Sequence, residues 1–263
     1  MLSEKFDQNG CNKTDAVHLA LDVGEQILIS GGEVARVEDT ISRLCTAFGA
    51  MRTDVFAVTS FVFVTATWND GTVITQSRRI KSAEKCMQRL ELLNSLSRKV
   101  CNEQLALSEA REIFEQIMQK KTTSPYKILL GSLLAATAFT AFFGGDLLDC
   151  LVAPIVATVI FLSQRLTRRI GGNRFLSQVL CSFLASTVAT LAVTYHLGSS
   201  VDHIMIGGIM LLIPGVSFTH AVENLIIGDT VSGLISLSEA TVVALALAGG
   251  FALSQALLGG VLL

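Results

Sequence analysis

Between Met210 and Leu234 the chain reads MLLIPGVSFTHAVENLIIGDTVSGL, an apolar run that nevertheless carries Pro214, Gly215, Ser217, Thr219, His220, Glu223, Asn224 and Asp229. Pro214 has no N–H to donate, and its ring clashes with the carbonyl one turn back. A helix entering this run must therefore break or kink between Met210 and Gly215. At 100° per residue, Ser217, Thr219, His220, Glu223 and Asn224 share one half of the helix that follows. Phe218, Val222, Leu225 and Ile226 share the other, with Ile227 the one misfit. Gly228 should end this helix, and Asp229 or Thr230 should cap the next. An ionised acid at a bilayer centre costs about 2.5–3.5 kcal/mol on insertion scales. Glu223 therefore calls for a cavity or a partner if the segment lies within the membrane. Polar groups beside a broken helix are how many transporters build a midplane site. The other reading is an amphipathic helix at the cytoplasmic interface, with its acid in water.

A second polar series precedes this one. Gln178, Ser182, Ser186, Thr190 and Thr194 recur four apart and form one slowly drifting stripe. The stripe either lines a path for polar cargo or packs helices through small hydroxyls. Gln255, deep in the last apolar run, has the same two readings. Gly131, Gly207-Gly208 and Gly249-Gly250 suit close helix approach. Near the N-terminus, Asp22, Glu25, Glu33, Arg36, Glu38 and Asp39 flank Gly31-Gly32. They form either a cluster for a cation or substrate, or solvated helix faces with local ion pairs.

No nucleophile elbow, phosphate loop, dinucleotide fingerprint or paired-histidine zinc motif occurs. The six cysteines, at 11, 45, 86, 101, 150 and 181, show neither Cys-x-x-Cys spacing nor a Cys/His cluster. They read as free thiols in a reducing compartment, and no metal or other cofactor is expected. Basic residues are interleaved with acids, which argues against a nucleic-acid partner.

The elements that must position these residues follow from an uneven charge distribution. Residues 1–127 hold 16 of the 20 Lys+Arg and 16 of the 22 Asp+Glu. The remainder holds four Arg, no Lys and six acids, and the mean hydropathy of the chain is +0.56. The expectation is a water-soluble α+β domain over 1–125, followed by an all-α transmembrane domain over 126–263. A span needs about 20 apolar residues. Five are expected, at about 128–145, 147–164, 175–197, 203–216 and 240–262, with an amphipathic segment at 217–236. Asp149 shortens the second and Pro154 sits within it. The loop QRLTRRIGGNR carries Arg165, Arg168, Arg169 and Arg174, and Lys120, Lys121 and Lys127 precede the first span. The GGDLLD and GSSVD turns carry acids alone. The positive-inside rule then places the N-terminal domain and the Arg loop in the cytoplasm. The polar N-terminus lacks the apolar core of a secretory signal, in keeping with that orientation. An odd span count hints that a partner completes the assembly.

In the soluble part, helices are expected at 14–30 and 33–49. The second buries Val34, Val37, Ile41, Leu44, Cys45 and Phe48. Residues 54–68 followed by NDG and TVITQSRR read as a β-hairpin with room for a third strand. Helices at about 82–102 and 108–120 complete a small domain with one core.

These residues give the chain a resemblance to the threonine/serine exporter family, to the half with a cytoplasmic N-terminal domain and five spans. It rests on LLIPG at Leu211–Gly215, continuing through Ala221, Gly228, Asp229 and Ser232-Gly233. SGGEVARVEDTISRL, with Gly31, Val37 and Glu38, is the second match. LLNSLSRKV, with Asn94, Leu96 and Arg98, and the NDG turn complete it. The family commonly has Asn where His220 stands and Asp where Asn224 stands; here the acid is Glu223. The resemblance implies a multi-pass subunit of the bacterial inner membrane exporting small polar metabolites, threonine and serine or a dicarboxylate such as succinate. It implies a proton gradient rather than an ATP site, and a small partner of about four spans. The residues expected along the substrate path are Pro214, Gly215, Ser217, His220, Glu223, Asn224 and Asp229, with Ser182, Ser186 and Thr190. The partners expected are that subunit, the cargo and the lipid bilayer. The alternative is a membrane-anchored enzyme or regulatory scaffold with its activity in the N-terminal domain.

Overall fold

The computed structural model describes residues 12–80, 85–120, 123–170 and 173–262. Cys11, Lys121 and the start of the helix expected at 82 lie outside them. The chain forms two compact units, Met1–Thr122 with His220–Ser236, and Thr123–Thr219 with Leu237–Leu263.

The first unit is built around α1 (Lys13–Ile29), whose N-cap Asn12 accepts a hydrogen bond from the Thr14 N–H at 3.1 Å. Leu19, Leu21, Val23 and Ile27 are all sealed from solvent, so this helix runs through the middle of the core. It ends where Gly31 takes φ +96°, with the Gly32 N–H returning to the Ile27 carbonyl. α2 (Val34–Ala47) buries Val34, Val37, Ile41, Leu44 and Cys45, the stripe its 3.6-residue period demands. Burial pushes the Cys45 thiol up to about 12, so it packs as an inert apolar group.

Residues 54–68 divide at Thr59-Ser60 into β1 (Arg52–Val58) and β2 (Phe61–Thr67). β3 (Val73–Arg79) completes an antiparallel meander ordered β1-β2-β3. Phe56 faces Phe63, and Phe63 faces Ser77, which fixes the register. The NDG turn uses Gly71 at φ +82°, and Asp70 accepts from the Thr72 N–H. Val62, Val64 and Ala66 face inward. Helices α3 (Met87–Glu103) and α4 (Leu107–Gln119) add Leu93, Leu96, Val100 and Phe114 to the same core.

The second unit contains α5 (Pro125–Phe142), α6 (Leu147–Ile170), α7 (Arg174–Thr194) and α8 (Val201–Ile209). α9 (Gly215–Ile227) and α10 (Thr230–Leu262) contribute residues to both units. Four helices among the described residues are long and apolar enough to cross a membrane: Pro125–Phe142, Leu147–Ile170, Phe175–Thr194 and Thr230–Leu258.

The span expected at 203–216 is corrected. α8 has only nine residues, about 13 Å at 1.5 Å per residue, against a hydrocarbon thickness of about 30 Å. The chain leaves the helix at Met210–Pro214, because Pro214 cannot continue the hydrogen-bond ladder. The stretch expected as one amphipathic segment over 217–236 is also divided. Gly228 at φ +95° ends α9, and Asp229 Oδ1 caps α10 by accepting from the Ser232 N–H at 3.2 Å. With no further breaker, α10 runs on for 33 residues, so the last helix begins at Thr230 rather than 240.

Candidate functional site

The break gathers its own hydrogen bonds. The Ile213 N–H returns to Ile209 O at 3.0 Å, the Gly215 N–H to Ile213 O at 2.8 Å, and the Phe218 N–H to Pro214 O at 2.9 Å. A new helix therefore starts one residue past the proline that stopped the last one. Ser217 is half-buried, Thr219 is exposed and donates to Gly215 O, and Glu223 is exposed.

Within the first unit the α9 polar face continues with His220 and Asn224. His220 Nε2 lies 3.6 Å from Glu33 Oε1 at the N-cap of α2. Asn224 is buried, as is Ala221. Ser232 Oγ, in the first turn of α10, donates to the Ala57 carbonyl at the end of β1, 3.4 Å away. Ala57 in turn donates its N–H to Glu38 Oε1 at 2.8 Å. Burial raises the Glu38 pKa, the Ala57 hydrogen bond opposes that, and the neighbouring charge of Asp229 raises it again. The stretch His220–Ser236 thus meets α2 and β1 through a row of polar contacts.

The carboxylates near Gly31-Gly32 do not form one cluster. Asp22 and Glu25 gather Arg78, at 3.4 and 3.9 Å, and Arg111 lies 3.8 Å from Asp22. Burial raises the Glu25 pKa; Arg78 lowers it and Asp22 raises it. Asp39 pairs with Arg43 one turn on. Glu33 and Glu38 instead face His220–Ser236. Among the described residues no group of His, Cys, Asp or Glu has the arrangement of a metal site.

Within the second unit the Ser182 stripe lies along α10. Ser182 Oγ donates to the Leu247 carbonyl at 2.7 Å, and Ser182 and Ser186 are fully buried. Gln255 Nε2 donates to Ser186 Oγ at 3.1 Å and to Thr190 Oγ1 at 2.9 Å, and Thr187 and Ser254 share a hydrogen bond. The hydroxyls of Ser182, Ser186 and Thr190 are therefore occupied in joining two helices. Gly250 makes the approach possible: a Cβ there would meet the Val179 carbonyl oxygen and lie 3.0 Å from the Phe183 nitrogen. Gly207 has the same role against α5, facing Ala136 O and Thr140. Gly131 and Gly249 face open space.

One polar centre lies where the sequence reading saw only orientation signals. The acid turn before α6 and the loop before α8 converge on Asp149, which is 1% exposed. Its Oδ1 accepts from the Ser199 N–H at 2.7 Å and the Ser200 N–H at 3.0 Å, and its Oδ2 lies 3.5 Å from His203 Nδ1. Asp146 Oδ1 accepts from the Asp149 N–H at 2.9 Å, closing the first turn of α6, and Asp146 also takes a hydrogen bond from the Ser199 hydroxyl. That hydroxyl, first among several donors, holds the Asp146 carboxyl below its ordinary value. The missed signal was the pairing of two acid-bearing turns that both begin with glycine.

Four long apolar helices together with a separately cored α+β unit define a multi-pass membrane protein. The family described as "Putative threonine/serine exporter" matches residues 18–258. The chain belongs to the threonine/serine exporter family. It is 24% identical over 225 residues to the "Probable threonine/serine exporter" of Mycobacterium tuberculosis (strain ATCC 25618 / H37Rv), a match covering 84% of this chain and 42% of that protein. The chain thus spans less than half the length of that relative. No solved structure matches it.

Proposed function

We propose that this chain is the membrane subunit of a secondary exporter of small polar metabolites, threonine and serine or a dicarboxylate such as succinate. The observation that carries this reading is the interrupted helix pair α8–α9, which breaks at Met210–Pro214 beside a set of four long apolar helices. A backbone break brings helix ends next to polar side chains, the arrangement from which many transporters build a cargo site. The relative's name, threonine/serine exporter, supports the cargo class. On this reading the substrate path runs along the polar face of α9. Pro214 and Gly215 shape its start, and Ser217, His220, Glu223 and Asn224 line it. Asp229 fixes the turn that follows, and Ser182, Ser186 and Thr190 hold the neighbouring helices in register.

The exposed Arg165, Arg168 and Arg169 at the end of α6 support a cytoplasmic N-terminal unit in a bacterial inner membrane. The proposed exporter also includes a small second membrane subunit of about four spans. Deleting the chain should raise intracellular threonine, serine or succinate under load. Unchanged export in a strain with no paralogue would contradict the proposal. Glu223→Gln should reduce efflux about tenfold at normal protein level, which corresponds to about 1.4 kcal/mol for a carboxylate that meets cargo or a proton on the path. Normal efflux in that variant would move the path off α9.

A further inference from the structure

We propose that the first unit carries a lipid-contacting surface of its own, made by Phe56, Phe61 and Phe63 on the outer face of the sheet and by Ile226, Ile227, Val231 and Leu234 of the stretch held beside it. Side chains alternate between the two faces along a strand. Val62, Val64 and Ala66 of β2 are sealed in the core, so Phe61 and Phe63, which flank Val62, point the other way. Phe63 pairs with Phe56 of β1, and Phe61 pairs with Val58 of β1 and Arg79 of β3. Phe56 is 49% exposed, and Phe61 and Phe63 are each 37% exposed. Directly paired side chains start about 5 Å apart, so the three rings form one patch. An exposed apolar patch of this kind marks a surface that meets something other than water.

The start of α10 identifies lipid as the occupant. The apolar span Thr230–Leu258 has 29 residues, about 43 Å at 1.5 Å per residue, against about 40–45 Å for a bilayer with its headgroups. Residues 230–236 therefore lie at headgroup depth, and they belong to the first unit. Ser232 and Ser236 are buried, whereas Val231 and Leu234 are exposed. A helix lying in water carries polar residues on its outer face; this one carries apolar residues there. Ile226 and Ile227, just before Gly228, are exposed as well. The Ser232 hydroxyl donates to the Ala57 carbonyl at 3.4 Å, and Ala57 directly follows Phe56. The aromatic patch is thus tied to the residues at which the chain enters the bilayer, and it continues the apolar surface that α10 presents there. Arg79, exposed opposite Phe61, offers a cation to lipid phosphate. The nearby acids are engaged: Asp54 pairs with Arg52 at 3.0 Å, Glu38 holds the Ala57 N–H, and Asp229 caps α10.

The proposal needs α10 to cross the bilayer and does not depend on the cargo. Tryptophan fluorescence of the full-length protein in nanodiscs tests it, with phosphatidylcholine and phosphatidylglycerol brominated on their acyl chains as the quencher. Trp68, the one native tryptophan, is buried just past the far end of β2 and gives the baseline. Phe61 and Thr67 are six residues apart (67 − 61), about 20 Å along the strand, and Val73 pairs with Thr67. Interfacial apolar groups reach about 5–10 Å into the headgroup and acyl boundary, so Phe61→Trp and Phe63→Trp should each lose about half of the emission they add to the baseline. Val73→Trp, exposed at the far end of the same face, should lose almost none. Emission from Phe61→Trp and Phe63→Trp that brominated lipid leaves unquenched would overturn the proposal. Quenching of that emission by dissolved acrylamide would then mean that the face is open to water. Resistance to both quenchers would mean that a second copy or another protein covers it. Equal quenching of Val73→Trp and Phe61→Trp would also overturn it, because lipid contact would not be confined to the aromatic end. A lipid-soluble carbene label on the wild-type protein reads the same face without any substitution. It should mark the peptide holding Phe61 and Phe63 and spare the one holding Val73; the reverse pattern would contradict the proposal.

Discussion

Gly250→Val should lower the thermal midpoint of the detergent-solubilised protein by about 10 °C, whereas Gly249→Val should leave it unchanged. The two glycines are adjacent in α10, but a Cβ at Gly250 would be driven into the Val179 carbonyl and the Phe183 nitrogen, while Gly249 meets nothing within 4 Å. The obstructing atoms at Gly250 are backbone and cannot rotate away, so α7 and α10 must separate. Overpacking of this kind costs about 3 kcal/mol or more, which for a chain of this size corresponds to about 10 °C. Separation would also draw Gln255 away from Ser186 and Thr190 and Ser182 away from Leu247 O, losing hydrogen bonds worth about 1 kcal/mol each. Size-exclusion of the fluorescently tagged protein after heating measures it. Equal midpoints for the two variants would mean that the helices do not approach as described.

The second large effect is expected at Asp149. Asp149→Ala leaves the Ser199 and Ser200 N–H groups without their acceptor at a buried position, and should destabilise the second unit by about 3 kcal/mol. Asp149→Asn keeps an oxygen at the Oδ1 position but replaces Oδ2, which faces His203 Nδ1 and accepts from the Asp146 N–H at 3.4 Å, with an amide NH2. It should cost about 1 kcal/mol, or about 3 °C against about 10 °C for the alanine. The same heating assay separates the two. Equal losses would show that the Oδ2 side, with His203 and the Asp146 N–H, outweighs the two backbone hydrogen bonds to Oδ1.

Much of the local architecture is legible in the chain. Pro214 marks a helix stop because a proline removes a donor wherever it sits, and Gly228 marks another because the next residues include a capping acid. The α2 stripe is legible because its apolar residues recur at the helical period and all of them reach one core. What the sequence leaves hidden is long-range. Nothing within residues 203–216 distinguishes a short helix followed by a loop from a kinked span, since both are apolar and both contain Pro214. Glu239 and the serines of 230–238 suggest a polar lead-in, yet a cap at Asp229 and the absence of a breaker carry the helix straight through them. The partner of Glu33 lies 187 residues away at His220, and the like charge that acts on Glu38 lies 191 residues away at Asp229 (220 − 33 and 229 − 38), and no local period encodes such a meeting. Likewise, Asp149 and Ser199 are 50 residues apart. The polar stripe from Gln178 to Thr194 shows why spacing alone cannot separate a path from a seam. The same four-residue repeat serves either, and it is the bonds to Leu247 O and Gln255 that show Ser182, Ser186 and Thr190 joined to α10.

The two-unit arrangement also changes how the α9 polar face is understood. Cavity wall and interfacial helix were the two readings of that face. On that face His220 lies 3.6 Å from Glu33, Asn224 is buried, and Glu223 is exposed. Glu223, the one carboxylate on that face, is left exposed, which is why the proposed path is tested there first.

The most direct test of the exporter account is flux in membrane vesicles containing this chain and the proposed small second subunit, loaded with labelled threonine, serine or succinate. The account predicts efflux of at least one of the three well above that of empty vesicles, and its loss in Glu223→Gln with both subunits present at wild-type level. Folded, fully assembled protein that moves none of the three would contradict it.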